Sequence, residues 1–150
     1  MLGFIGEYEC KVDAKGRLLF PASLRKQLQP SDNESFVVNK GFEKCLMLYP
    51  KSVWEQKVKP VNALSQFKAK NRLLKRLFFK SAKAVELDGN GRLLLSKDLT
   101  ELVGIKKEVV LLAHGDEIEI WDKKEYSKID SADFSSLAEE VLGQDFNTED

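Results

Sequence analysis

Two cysteines and one histidine among 150 residues leave little material for thiol or metal chemistry. Cys10 and Cys45 sit far apart and His114 stands alone, which excludes a cysteine-rich metal site and gives no reason to expect an oxidising compartment. No apolar run approaches the ~20 residues that span a bilayer. The opening Met1–Glu7 has no basic lead and meets Glu7 early, so it lacks the build of a signal peptide, and a cytoplasmic location is the expectation. Net charge is also missing, with 24 Lys/Arg against 24 Asp/Glu, which taken alone argues against a nucleic-acid partner.

That balance hides a split. Residues 1–80 carry 16 Lys/Arg and 7 Asp/Glu, a net +9, whereas residues 81–150 carry 8 and 17, a net −9. Such polarity suits a basic working face set against an acidic face or tail. With 43% hydrophobic and 32% charged residues the chain reads as a soluble globular protein.

Asp13-Ala14-Lys15-Gly16-Arg17-Leu18-Leu19 returns 75 residues later as Asp88-Gly89-Asn90-Gly91-Arg92-Leu93-Leu94. Pro21, Leu24 and Leu28 fall opposite Ser96, Leu99 and Val103 at the same offset. Farther on, Val37-Val38 and Leu46–Tyr49 fall opposite Val109-Val110 and Ile118–Trp121 at an offset of 72, and the polar linker Gln29–Glu34 is the place where three residues can be absorbed. Each unit, about 45 residues, is too small to bury a sufficient core unaided, so the two should share one.

Within a unit the pattern reads strand, tight turn, strand, short helix, then two strands. Tyr8, Cys10 and Val12 alternate along one strand face, Asp13–Gly16 forms the turn and Leu18–Phe20 the return. Pro21 starts a short helix to Leu28, Phe36–Val38 and Leu46–Tyr49 are strands, and Ser52–Glu55 has capping-box spacing. The second unit repeats this over Ala84–Trp121, with Gly104 closing its helix, a Gly115-Asp116 turn between its last strands, and capping spacing again at Asp122–Glu125. Ser65–Lys80 has the composition of a helix, with Leu73, Leu77 and Phe78 as its expected buried edge. After Tyr126 the chain is acidic; Phe134, Leu137, Val141 and Leu142 suit an amphipathic turn or two, and Gly143–Asp150 a loose end. The resulting layout is repeat units at 7–54 and 83–126, a linking basic helix in 55–82 and an acidic segment at 127–150. An α+β fold with a pseudo-twofold and interleaved strands follows, although periodicity does not give the pairing order.

Catalysis finds no constellation. His114 falls in a presumed loop with no nucleophile near it, Gly89-Asn90-Gly91 lacks the spacing of a dinucleotide or phosphate loop, and Asp13 and Asp88 sit four residues before an arginine as turn anchors do. No metal, cofactor or small-molecule substrate is expected. The Asp-x-x-x-Arg turns admit two readings: Arg17 and Arg92 are held by Asp13 and Asp88 merely to pin the hairpins, or the turns project Lys15, Arg17, Asn90 and Arg92 toward phosphates and base edges. Both can hold together, because a carboxylate that orients an arginine prepares it for a ligand. Arg72 and Arg76 share a helix face that Lys75 neighbours, and the three form a secondary basic patch. The matched aromatics Tyr49, Trp54, Trp121 and Tyr126 fit core packing, and Leu2, Phe4, Ile5, Phe79 and Phe134 are surplus apolar residues suited to a subunit interface.

Asp13–Arg17 through Pro21, Leu46–Pro50 through Trp54-Glu55, Asp88–Leu94, and Gly104–Val109 through Trp121-Asp122 closely resemble the MraZ family of bacteria over roughly residues 1–127. The resemblance implies tandem SpoVT/AbrB-like modules in a double-split β-α-β barrel, assembled into a ring-shaped homo-oligomer. It implies binding to short direct repeats of double-stranded DNA ahead of the family's own promoter, regulation of the division and cell-wall gene cluster, and association with the nucleoid. Carried over by position, the signature falls on Asp13, Arg17, Asp88 and Arg92. The expectation is therefore a DNA-binding transcription regulator that is not an enzyme; the alternative is an oligomeric scaffold whose acidic second half recruits a protein partner.

Overall fold

The first strand, β1, begins upstream of Glu7 and runs Phe4–Lys11, its residues alternating between half-buried and exposed, in the computed structural model, which describes residues 3–147. The first unit continues with β2 (Arg17–Leu19), α1 (Ala22–Arg25), β3 (Ser35–Lys40) and β4 (Leu46–Pro50). Two helices follow, α2 (Lys51–Asn62) and α3 (Ala69–Lys80). The second unit comprises β5 (Lys83–Glu86), β6 (Arg92–Leu94), α4 (Lys97–Leu102), β7 (Glu108–Gly115) and β8 (Glu117–Asp122), and ends in α5 (Lys123–Ser127) and α6 (Phe134–Asn147). The class is mixed α+β.

Every strand pairing among the described residues is antiparallel, in a six-stranded sheet of order β1-β7-β8-β4-β3-β5 and a two-stranded ribbon β2-β6. Exchanging each strand for its repeat counterpart returns the same order reversed. The symmetry extends to single residues. Leu18 pairs with Leu93, its own copy, and Met47 pairs with Glu119, its own copy, so a pseudo-twofold axis passes through both pairs. The outer strands are exchanged between units, β1 onto β7 and β5 onto β3, so neither unit has a complete sheet alone.

Inward residues of both sheets meet in one core: Leu18, Phe20, Leu93 and Leu95 from the ribbon, Phe36, Val38, Leu46, Leu48, Val109, Leu111, Ile118 and Ile120 from the large sheet, capped by Leu24 and Leu99 of the short helices. The aromatics pack in matched pairs at the rim, Tyr49 with Trp54 at 5.8 Å and Trp121 with Tyr126 at 6.1 Å between ring centroids. Phe4 packs against the core instead of facing outward, while Ile5, Phe79 and Phe134 are exposed and Leu2 lies outside the described residues.

The repeat alignment needs one correction. Cys10 pairs with Val109, and its copy Val85 pairs with Phe36, so β3 and β7 are 73 residues apart, one more than the 72 of β4 and β8. The linker therefore absorbs two of the three residues. The third goes into the β3–β4 loop, where Gly41–Cys45 replaces the tight turn at Gly115-Asp116. Both valines of each pair are apolar, so hydrophobicity alone could not resolve a shift of one.

Other local expectations also change. The Ser52–Glu55 capping box does not form; buried Asp32 instead accepts the Ser52 N–H at 2.9 Å and its hydroxyl at 3.1 Å, so the helix start is capped from 20 residues away. Leu73 and Leu77 are 55% and 56% exposed, because α3 turns Asn71, Lys75 and Phe78 to the body and stacks Phe78 on Trp54. Buried Asn39 ties that end down by donating to the Phe78 carbonyl at 2.9 Å. His114 belongs to β7, opposite Glu117. The segment after Phe134 forms a 14-residue helix that runs through Gly143 to Asn147, longer than one or two turns; residues 148–150 lie outside the described residues.

Candidate nucleic-acid interface

The two turns are built by the same hydrogen bonds. Asp13 Oδ1 accepts the N–H groups of Lys15 and Arg17, both at 2.9 Å, and Asp88 Oδ1 accepts those of Asn90 at 2.8 Å and Arg92 at 2.9 Å. Each aspartate also closes the turn with its backbone, Asp13 N–H to Arg17 O at 2.8 Å and Asp88 N–H to Arg92 O at 2.9 Å. This is why the motif needs a short carboxylate two and four residues ahead of the donors. Chain reversal then falls to Gly16 at φ +87° and Gly91 at φ +75°, conformations that glycine adopts without strain.

The turns are laced to each other. Leu95 N–H donates to Gly16 O at 2.8 Å and Phe20 N–H to Gly91 O at 3.0 Å, one bond being the pseudo-twofold copy of the other. Strand parity does the rest: Leu18 and Leu93 point into the core, and Arg17, Leu19, Arg92 and Leu94 point out. Since Arg17 pairs with Leu94 and Leu19 with Arg92, the outward face is a diagonal square of two arginines and two leucines. Those leucines are 63% and 53% exposed. Sequence reading assigned them to the strands and missed them as surface, although the alternation around buried Leu18 and Leu93 carries that signal.

All six turn residues singled out in the sequence thus come together along one ribbon, with Lys15, Asn90 and Arg92 exposed. The two arginines differ. Arg17 Nε donates to Asp13 Oδ2 at 3.1 Å, whereas the Arg92 side chain makes no hydrogen bond or ion pair among the described residues. Arg25 stands beside the second turn, paired through Nε and Nη2 with Glu34 and feeling the charge of Asp88. No motif announced it, since its repeat counterpart is Thr100. The secondary patch is elsewhere: Arg72, Lys75 and Arg76 lie on α3, packed against β3, and Arg72 Nη1 donates to Gln66 O at 2.8 Å.

The remaining reactive residues have structural partners. His114 Nε2 lies 2.6 Å from Glu119 Oε2, and the Trp121 indole donates to the other oxygen at 2.7 Å. Burial pushes the Cys45 thiol up to about 12, far from a nucleophilic thiolate, and raises that of Cys10. No group of three or more His, Cys, Asp or Glu among the described residues is placed to hold a metal, and no helix among them is long and apolar enough to cross a membrane.

With this geometry in place, comparison with known proteins is direct. The family model described as "MraZ protein, putative antitoxin-like" matches twice, over residues 3–77 and 78–145. The chain belongs to the MraZ family. It is 48% identical over 149 residues, 97% of this chain and 96% of the relative, to the transcriptional regulator MraZ of Christiangramia forsetii. It is 45% identical to the protein of that name from Flavobacterium psychrophilum, covering 93% and 91% of the two chains, and 36% identical to that of Heliobacterium modesticaldum, covering 95% and 99%.

Two predictions follow from the MraZ turns. A Cβ on Gly16 would lie 2.4 Å from the Leu95 carbonyl oxygen, whereas one on Gly89 meets nothing within 4 Å. Left-handed backbone costs an alanine about 1–2 kcal/mol, and disturbing the Leu95-to-Gly16 hydrogen bond adds about 0.5–1.5 kcal/mol. Urea unfolding should therefore show Gly16→Ala destabilised by roughly 2–3 kcal/mol and Gly89→Ala within about 0.5 kcal/mol of the parent. Equal midpoints for the two variants would overturn this account of the ribbon.

The second concerns acid. The N–H of Arg17 holds the Asp13 carboxyl below the usual carboxylate range, with the Lys15 N–H and the Arg17 guanidinium adding to it; the Arg92 N–H does the same for Asp88. A carboxyl depressed by folding contributes stability that is complete above its unfolded value near ~4 and is lost as pH falls through the folded value. Carboxyl carbon NMR should place both midpoints below about 4. Asp13→Asn with Asp88→Asn should flatten the fall of melting temperature at acid pH, and an unchanged acid limb would contradict the assignment.

Proposed function

We propose that this chain is a sequence-specific DNA-binding transcription regulator that meets double-stranded DNA with the outward face of the β2–β6 ribbon. In this reading Arg17 and Arg92 are the principal contacts, Lys15 and Asn90 supporting ones, and Asp13 and Asp88 orient the turns. Arg72, Lys75 and Arg76 form a secondary basic surface. The observation that carries it is the convergence of two arginine turns on one exposed, twofold-related ribbon. Arginine's planar fork suits guanine edges and phosphates, and exposed leucines beside it suit thymine methyls or sugars. The relatives' printed name, transcriptional regulator, points the same way.

The finer reading extends the family resemblance. Residues 7–54 and 83–126 are SpoVT/AbrB-like units of a double-split β-α-β barrel, 55–82 links them and 127–150 is an acidic appendage. Copies assemble into a ring that engages short direct repeats ahead of the chain's own promoter and regulates the division and cell-wall cluster, in the cytoplasm at the nucleoid. One ribbon offers few cations, so a single copy should bind weakly; linked copies on successive repeats gain about 10² to 10⁴ in avidity.

Fluorescence anisotropy on the chain's own upstream region and on a shuffled duplex, over a salt series, tests this. Tight binding to the first, with a log–log salt slope of about −0.9 per neutralised phosphate, is expected. Equal affinity for both duplexes, or none at physiological salt, would leave the scaffold reading in its place.

A further inference from the structure

The first hairpin opens beyond its turn. Val12 bridges Leu18 and the Asp13 N–H donates to Arg17 O at 2.8 Å, but past that bridge β2 leaves β1 to pair with β6. The separated arms enclose a cleft of about 710 Å³, walled by Cys10 of β1 on one side and by Leu19, Phe20, Pro21 and Ala22 on the other. As an outer strand of the large sheet, β1 has β7 as its one neighbour there, and its free edge borders this cleft.

Strand parity decides which groups face the gap. The Val12 N–H donates to Lys107 O, directly opposite, at 2.7 Å, so the even positions of β1 bond to β7 and the odd ones turn their main-chain groups outward. At Ile5 the Gln27 side chain meets them as a neighbouring strand does, its Oε1 accepting the N–H at 3.0 Å and its Nε2 donating to the carbonyl at 3.1 Å. At the other end the bridge between Val12 and Leu18 closes the edge. Between these two closures, the N–H and C=O groups of Glu7 and Glu9 have no hydrogen-bond partner among the described residues. The second unit is an internal comparison. Lys83, the copy of Tyr8, donates through Nζ to the Oγ of Ser96, the copy of Pro21, at 3.0 Å, and lies 3.9 Å from Asp98 Oδ2, which ties β5 to the start of α4. Tyr8 instead turns its hydroxyl to Ile5 O and Gln27, and proline has no donor or hydroxyl to offer, so the first hairpin lacks that tie.

We propose that this cleft takes up an extended peptide segment of another protein as an added antiparallel strand on β1. Donors and acceptors at strand spacing are matched by a strand, whose main chain supplies the affinity while alternate side chains supply the selectivity. Side chains turned inward meet Cys10, Leu19 and Phe20, and so are apolar. Those opposite Glu7 and Glu9 share the exposed face of β1 with two carboxylates, of which Glu9 has its cation, Lys123, at 3.7 Å; basic residues fit there. The partner is therefore a segment alternating apolar and basic residues. Leu19 and Gly91 border both the cleft and the ribbon face, but the site does not depend on the DNA reading, and its test contains no DNA.

A fluorescein-labelled hexapeptide alternating valine and lysine is the probe. Its lysines lie opposite Glu7 and Glu9 and point their backbone N–H groups at β1, whereas the valine N–H groups point away. Anisotropy should rise with the parent chain; methylating the lysine backbone nitrogens should weaken binding about tenfold or more, and methylating those of the valines should not. Glu9→Pro, which deletes one outward N–H at an edge position that tolerates proline, should weaken it similarly at parental melting temperature. Hydrogen exchange read by NMR should find the Glu7 and Glu9 amides slowed by the peptide and the Ala84 and Glu86 amides unchanged. Binding indifferent to lysine methylation, binding that leaves the Glu7 and Glu9 amides as they were, or no binding at millimolar peptide overturns the proposal. Amides already protected in the chain alone would put this chain itself in the cleft, and overturn it equally.

Discussion

Replacing Arg17 and Arg92 together by alanine should abolish retention on promoter DNA at physiological salt without loosening the fold. Arg92 projects from an exposed strand position and makes no side-chain hydrogen bond or ion pair among the described residues, so truncating it removes none. Arg17 gives up its Nε contact with Asp13, a solvent-screened pair, yet the turn keeps both backbone bonds to the Asp13 carboxylate. What is lost is the ligand-facing chemistry. A good bidentate arginine contact is worth about 1–3 kcal/mol, so the pair amounts to about 30-fold to 2 × 10⁴-fold in affinity. If the contacts are to phosphate, the salt slope flattens by about 0.9 for each one lost and the loss is similar on all duplexes. If they are to bases, discrimination against shuffled DNA collapses first. Undiminished affinity in the double variant, measured by anisotropy beside an unchanged melting temperature, would show that both arginines serve the hairpins alone.

Arg17 and Arg92 also mark how far the sequence could be read. Both turns were legible because their requirements are local: an acceptor, donors two and four residues on, and a glycine that tolerates positive φ. Strand parity carried the faces of β2 and β6 as well, but that signal was not used and Leu19 and Leu94 were missed as surface. What parity leaves open is which strand lies beside which, and the sheet order emerged only with the structure. For the same reason β3 was set one residue out of register with β7, where adjacent valines satisfy either frame. The Asp32 cap of α2 joins positions 20 residues apart through tertiary packing, and no local spacing encodes it. The error on α3 is of another kind. Leu73 and Leu77 have the helical spacing of a core stripe yet are half exposed, because hydrophobicity and spacing do not say which face of a helix its neighbours cover.

The second large effect lies on the other face of the same ribbon. Leu18→Ala or Leu93→Ala should destabilise the protein by about 2–5 kcal/mol, the range for leucines truncated in a packed core. Each is essentially inaccessible to solvent, and they pair with each other across the pseudo-twofold axis, inside the cluster that both units share. A cavity at that point thins the contacts of Phe20 and Leu95 at once, so neither unit can relax to fill it without disturbing its twin. Because the two leucines are neighbours, the double variant should depart measurably from the sum of the singles. Against a total stability of about 5–15 kcal/mol, it should also approach global unfolding. Leu19→Ala and Leu94→Ala are the controls one residue away, on the outward register, and should leave chemical unfolding within about 0.5 kcal/mol of the parent while weakening DNA retention. Stability and binding would then segregate by strand parity, inward positions moving one and outward positions the other. If the outward leucines prove as costly to the fold as the inward pair, the outward square of arginines and leucines is covered within the native particle, and DNA must approach by another surface.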